Sequence, residues 1–396
     1  MRNQTATTIL ICAFAFATPS LVAAPFAPAS DKEIVDRLPG RTAQAAAAAS
    51  RETRSMQGLL DANRQNLDIA LRIAQLNIRR ARSESDPRYL GQAQAALAPW
   101  WNAARPPTTV LVLRATIRQS LHQFSAARTD LEQAVAREPG NAQAWLTLAT
   151  IQLVTGDETA SRSSCEHLAG LAQPPVHASC IAAIDGSRGR AGVAGLHLAR
   201  ILKSAPHMNK ELRAWIMVLQ AELAERAGQL KTADAMYRDA LKLDSRDAYT
   251  TAAYADYLLD QHRPRDVLKL ISAETNTDIL LLRRVLAAQA LNASDADVMA
   301  STLASRYDAA RQRGDRLHLR EEARFLLHVR RQPIEALALA TENWQTQKEP
   351  ADLRILLEAA TATRQREPAQ QALAWLDRTH LEGRTVARLA ALARQL

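Results

Sequence analysis

Cys165 and Cys180, with His167 and His177 between them, come nearest in type and spacing to a reactive or metal-binding centre. Read as Cys165-x-His167 and His177-x-x-Cys180, the four could donate two thiolates and two imidazoles to a metal such as zinc. Spacing counts against this, because residues two apart on a helix diverge and Cys165 and His167 would not converge on one ion. A disulfide between Cys165 and Cys180 is the simpler expectation, with free buried thiols as the other reading. Neither cysteine has a nucleophile setting, and no Gly-x-Ser-x-Gly elbow is present. His318, Arg320, Glu321, Glu322 and Arg324 form the densest ionisable cluster. It lacks the His-Glu-x-x-His spacing of zinc proteases and reads as a salt-bridged helix face in which Glu321 pairs with Arg324 at i, i+3. The glycine-dense Gly186-Ser187-Arg188-Gly189-Arg190-Ala191-Gly192 has neither a preceding strand nor the Lys-Ser/Thr ending of a phosphate loop, and reads as a turn between helices. The expectation is therefore a protein that is not an enzyme, with no catalytic, cofactor-binding or metal-binding residues.

The elements around these residues must be helices. Aromatics make up 4% of the 396 residues, and 13 glycines and 16 prolines are few, which suits helices packed through alanine and leucine. The net charge of +9 is spread along the chain. Short clusters such as Arg79-Arg80-Ala81-Arg82 and Arg311-Gln312-Arg313 carry no interleaved aromatics. They read as solvated helix faces rather than a nucleic-acid surface.

Met1 to Ala24 has a short polar start with Arg2, an apolar run from Ile9 to Ala17, a break at Pro19 and small residues at Ala23 and Ala24. This is the layout of a secretory signal peptide, too short in its apolar run to span a membrane. Its removal would take Cys12 with it and leave Cys165 and Cys180 as an even pair in an exported, periplasmic protein. The expected order is a signal peptide at 1–24, a linker at 25–30, and an N-terminal helical region with a diverged repeat at 31–105. Central repeats at 106–275 follow, then degenerate repeats with a capping helix at 276–396. Within the N-terminal region the alanine run from Ala43 to Ala49 should feed one long amphipathic helix through Leu67, Ile73 and Ile78, followed by a second helix from Tyr89 to Trp101.

A repeat register organises the centre. Ala115 and Ala149 lie 34 residues apart, as do Ala127 and Ser161 and also Ala233 and Val267. Gly156, Gly189 and Gly228 fall between paired helices. Self-similarity at this period marks a helical solenoid. The pattern of Ala115, Phe124, Ala127, Leu131, Ala134 and Pro139 resembles the tetratricopeptide-repeat family. Trp145, Leu148, Ala149 and Gly156 repeat it, as do Ala221, Gly228, Ala233, Tyr237 and Ala240. Departures occur at Arg114, His122, Ser161, Cys165 and Ser245.

The resemblance implies an all-α, right-handed superhelical solenoid of antiparallel helix pairs that holds a protein or peptide on its concave face. Carried onto this sequence, the contact positions are Thr116, Gln119 and Ser120; Gln143 and Thr150; Trp215, Glu222, Glu225 and Arg226; and Tyr249, Asp256 and Asp260. The aromatic and acidic groups among them favour a basic or amphipathic guest. The alternatives are a metal-binding or enzymatic protein centred on Cys165, His167, His177 and Cys180, and a binder of cell wall or membrane surface.

Overall fold

The computed structural model describes residues 54–275 and 277–396, all within one compact unit. The proposed signal peptide, the linker, the alanine run and the segment to residue 53 lie outside the described residues. What is described is helical: α1 (residues 54–62), α2 (Leu67–Glu84), α3 (Arg88–Ala96), α4 (Ala98–Trp101), α5 (Thr108–Ser120), α6 (Phe124–Arg137), α7 (Ala142–Val154), α8 (Glu158–Glu166), α9 (Pro174–Ser187), α10 (Ala191–Ser204), α11 (Lys210–Arg226), α12 (Leu230–Leu243), α13 (Ala248–Asp260), α14 (Pro264–Leu270), α15 (Asp278–Ala290), α16 (Ala296–Gln312), α17 (Leu319–Phe325), α18 (Pro333–Thr346), α19 (Pro350–Thr363), α20 (Arg366–Thr379) and α21 (Arg384–Ala393). α17 runs on into a wider π turn, Leu326–Arg330. No strand occurs among the described residues. None of their helices is long and apolar enough to cross a membrane.

Successive helices pair and stack, and the register alanines are what permits the close approach. Ala115, Ala127, Ala134, Ala221 and Ala233 are completely buried, and Ala149 and Ala240 nearly so. Each hydrophobic cluster joins helices adjacent in sequence, as where Val218, Ala221, Tyr237, Tyr254 and Val267 meet. This nearest-neighbour burial is how a solenoid builds its core. Several first helices begin at a side-chain cap: Asn141, Asn209 and Asp247 accept the N–H of Ala144, Leu212 and Thr250. At the turn inside each pair one residue takes left-handed φ. Gly156, Gly189 and Gly228 do so as expected, and His122 and His262 occupy the equivalent place at φ 56° and 55°.

Two of the departures from the repeat pattern, Arg114 and Ser161, are explained by pairing. Arg114 is buried because its guanidinium meets Asp130 at 2.7 and 2.9 Å, and Ser161 donates to the Ala149 carbonyl at 2.8 Å. Two expectations are corrected. The helix through Leu67 is not continuous with the preceding segment. Residues 63–66 break it, and the Asn66 side chain accepts the Ile69 N–H to start a new helix. The helix expected from Tyr89 to Trp101 divides at Leu97, because Pro99 in the first turn of α4 offers no N–H to continue the ladder.

Candidate functional site

Cys165 at the end of α8 and Cys180 in α9 form a disulfide with a Cα–Cα distance of 5.7 Å, stapling two adjacent helix pairs. Both sulfurs are consumed by that bond. His167 stacks on Trp145 with centroids 3.9 Å apart, and its Nδ1 lies 2.8 Å from the Ser163 carbonyl oxygen. These residues are a structural staple, and the metal centre weighed from their spacing has no thiolate to offer.

The inner face of the coil holds a different constellation. Asp256 on α13 accepts from Arg283 of α15 at 2.7 Å and from Arg324 of α17 at 2.6 Å. Arg283, almost wholly buried, also donates to Glu321 at 2.6 Å. Asp260, one turn further along α13, receives both terminal nitrogens of Arg354 on α19 at 2.7 and 2.9 Å. Arg354 in turn donates to Glu358 at 2.9 Å, and Glu358 meets His328 at 2.7 Å. Arg320 bridges Glu349 and Asp352 at 2.8 and 3.3 Å. Burial alone would raise the Asp256 carboxyl, but the two arginines outweigh it and hold the group well below the ordinary carboxylate range. Glu358 is likewise carried down to about 2: burial acts against ionisation, and His328 and Arg354 overcome it.

The expected Glu321–Arg324 pair within one helix is therefore replaced. Glu321 turns to Arg283, Glu322 pairs with Arg311, and Arg324 reaches across to Asp256. The ionisable cluster that reads as a salt-bridged face of one helix instead pairs across helices, with Glu321 and Glu322 buried.

Facing it, α11 and α13 contribute Glu222, Glu225 and Tyr249. The Tyr249 hydroxyl donates to Glu222 at 2.6 Å. Tyr249 is 54% exposed, and Glu222, Glu349 and Arg320 all act on it electrostatically, so it is a solvent-reachable ring within reach of α17 and the start of α19. Glu222 foremost, then burial, pushes the Tyr249 phenol well above its usual range. Glu225 has the Tyr237 hydroxyl at 3.4 Å and no ion pair among the described residues. Burial first, then the nearby carboxylates of Asp260, Glu222 and Asp256, push it up to about 7.

The other expected contact positions divide. Trp215 packs against the buried cluster of Ala191, Leu198, Ile216 and Leu223 between repeats. Arg226 is half-buried, with its Nε donating to the Glu222 carbonyl at 3.3 Å. Thr116, Ser120 and Thr150 return their hydroxyls to carbonyls of their own helices, and Gln143 donates to Thr147 at 3.0 Å. Gln119 is half-buried in the last turn of α5. The structure thus brings Glu222, Glu225, Tyr249, Asp256 and Asp260 together and leaves the earlier groups on their own helices. Sequence reasoning missed Arg283, Arg354, Glu358, His328 and Glu349. Arg283, Arg354 and Glu358 showed only as charged residues on first helices of the irregular C-terminal third, while Glu349 caps α19 and His328 lies in the π turn.

The coil also touches itself. The Lys348 N–H donates to the Val154 carbonyl at 2.8 Å, and Gln347 Nε2 lies 3.0 Å from His122 Nδ1. Glu382 accepts the Ala191 N–H at 2.8 Å. Around the first seam, His122, Gln123, Arg316, Glu342, Gln345 and Gln347 line a cleft of about 640 Å³.

No family model and no curated protein matches this chain. Among solved structures it is similar to the Cut9–Hcn1 hetero-tetramer of the APC/C, at 14% identity and TM-score 0.40, over 78% of this chain and 52% of that one. A tetratricopeptide repeat protein from Parabacteroides merdae aligns at 14% identity and TM-score 0.34, over 72% and 98% of the two chains. The human IFIT1 dimer with m7Gppp-AAAA aligns at 13% and 0.40, over 88% and 86%. The chain spans about half the length of the Cut9–Hcn1 chain it matches. The tetratricopeptide-like fold rests on the repeated helix pairs themselves.

Proposed function

We propose that this protein is an exported, non-catalytic scaffold that holds a protein or peptide partner against the inner face of its repeats, in assembly, export or maintenance of the cell envelope. The observation that carries this reading is the wall formed by α11 and α13. There a solvent-reachable tyrosine, Tyr249, stands beside Glu222 and beside Glu225, a carboxylate without a cation, in a chain whose overall charge is positive. A segment presenting lysine or arginine would supply the missing charge, and its apolar stem would lie on the tyrosine ring. Export is supported by the tripartite N-terminus and by a disulfide of the kind that persists in oxidising compartments.

The test is a photo-cross-linking amino acid placed in turn at Tyr249, on the inner wall, and at Val193, 70% exposed on α10. Cross-linking in the envelope fraction should yield one discrete adduct from Tyr249 and none from Val193. Equal labelling from both positions, or adduct formation unaffected by Glu225→Gln, would reject the inner wall as the contact surface.

A further inference from the structure

We infer that the C-terminal repeats act as a polar clasp, which closes the interior of the coil and can release it while the stacking of the repeats stays intact. Two kinds of contact hold the chain in shape, and they differ in chemistry. Along the solenoid, adjacent pairs share apolar clusters: one unites residues 323–393, another residues 218–287, and a third residues 111–151. No such cluster joins the C-terminal repeats to the α5–α10 region among the described residues.

The hydrogen bonds and ion pairs that close the coil over long sequence separations among the described residues are these. Arg354 reaches Asp260, 94 residues away, and Arg324 reaches Asp256, 68 residues away. Lys348 caps the carbonyl end of α7, Gln347 meets His122, and Glu382 caps the amino end of α10 in place of a local residue. The fit at the turns is close. A Cβ built on Gly189 would come within 2.6 Å of the His380 carbonyl oxygen, and one on Gly156 within 3.3 Å of the Lys348 side chain. Polar contacts of this kind exchange readily for water and salt, whereas apolar stacking does not. Opening would therefore swing the C-terminal repeats away as a body and expose Asp256 and Asp260. The Arg324 and Arg354 side chains are thus internal occupants of the inner acidic wall.

The clasp is tested without a partner, so its failure is distinguishable from failure of the proposed function. Spin labels are placed on cysteines at Gln123 and Gln345, which are exposed on the two sides of the seam cleft, in a Cys12→Ser background. A control pair at Thr150 and Lys231, both exposed, lies within the central repeats. Pulsed dipolar spectroscopy should give a short, narrow distance for the seam pair at about 0.01 M ionic strength. At about 1 M, where the Debye length falls to about 3 Å, that distance should lengthen and broaden. The Arg324→Gln/Arg354→Gln variant should show the lengthened distance at low salt, while the control pair and the helical circular dichroism stay unchanged. Should that variant fail to fold, Arg354→Lys and the salt series on the unaltered chain read the same motion. A seam distance that ignores both salt and charge removal would overturn the clasp, as would a control distance that moves in parallel.

Discussion

Replacing Glu225 by glutamine should stabilise the protein at alkaline pH and leave it nearly unchanged in acid. The carboxyl sits beside Tyr237 with no ion pair among the described residues, and burial together with Asp260, Glu222 and Asp256 carries it from 4.5 to about 7. A folded-state value above the unfolded one means that the native chain binds the proton more tightly. The carboxyl therefore costs nothing below about pH 4.5, and its penalty grows as pH rises and is complete above about pH 7. At roughly 1.4 kcal/mol per tenfold in proton affinity the full penalty is about 3 kcal/mol, reduced to about 2 kcal/mol because the site is partly hydrated. Glutamine keeps the acceptor for Tyr237 and removes the charge. Urea unfolding of both proteins from pH 4 to 9 should show curves that coincide near pH 4 and diverge by about 2 kcal/mol above pH 8. A difference independent of pH would refute the argument, because it would mean that the Glu225 carboxyl binds its proton equally in the folded and unfolded chains.

Other perturbations have defined outcomes. His122 is held down to about 4 by burial, aided by Arg320 and His318, so it stays neutral in the fold. Stability should fall as pH drops from about 6.5 toward 4, and His122→Gln should remove that component from an acid titration of the melting temperature. Asp130 accepts from both Arg114 and Arg118 at 2.7 Å while buried, so Asp130→Asn should lower the unfolding free energy by about 3–5 kcal/mol in urea titration. Reducing the Cys165–Cys180 bond releases a 15-residue loop and should cost about 3 kcal/mol in the chain-entropy view, read from the urea midpoint with and without reductant.

The repeat register was legible because it is local. Ala115, Ala127 and Ala149 recur at a fixed interval, and each is buried against the next helix for the reason its size implies. The staple was legible too, since Cys165 and Cys180 sit on adjacent helices and spacing alone brings them near. What the sequence could not show is how tightly the coil winds. That winding depends on small rotations summed over many repeats. The partners it creates, Asp260 with Arg354 and Glu382 with Ala191, are separated by 94 and 191 residues. Arg354 and Arg324 look in sequence like any polar helix face, so a groove lined by Asp256 and Asp260 reads as open when its acids are already paired. The break at 63–66 was hidden for a different reason. The apolar spacing continues across it, and only the competing side-chain caps of Asn63 and Asn66 stop the helix.

The most direct measurement is photo-cross-linking from Tyr249 in intact cells, compared with the same probe in a Glu225→Gln chain and at Val193. The inner-wall account predicts a single adduct from Tyr249, its loss or marked weakening when Glu225 is neutralised, and none from Val193. Indiscriminate labelling from both positions, or an adduct indifferent to Glu225, would contradict it.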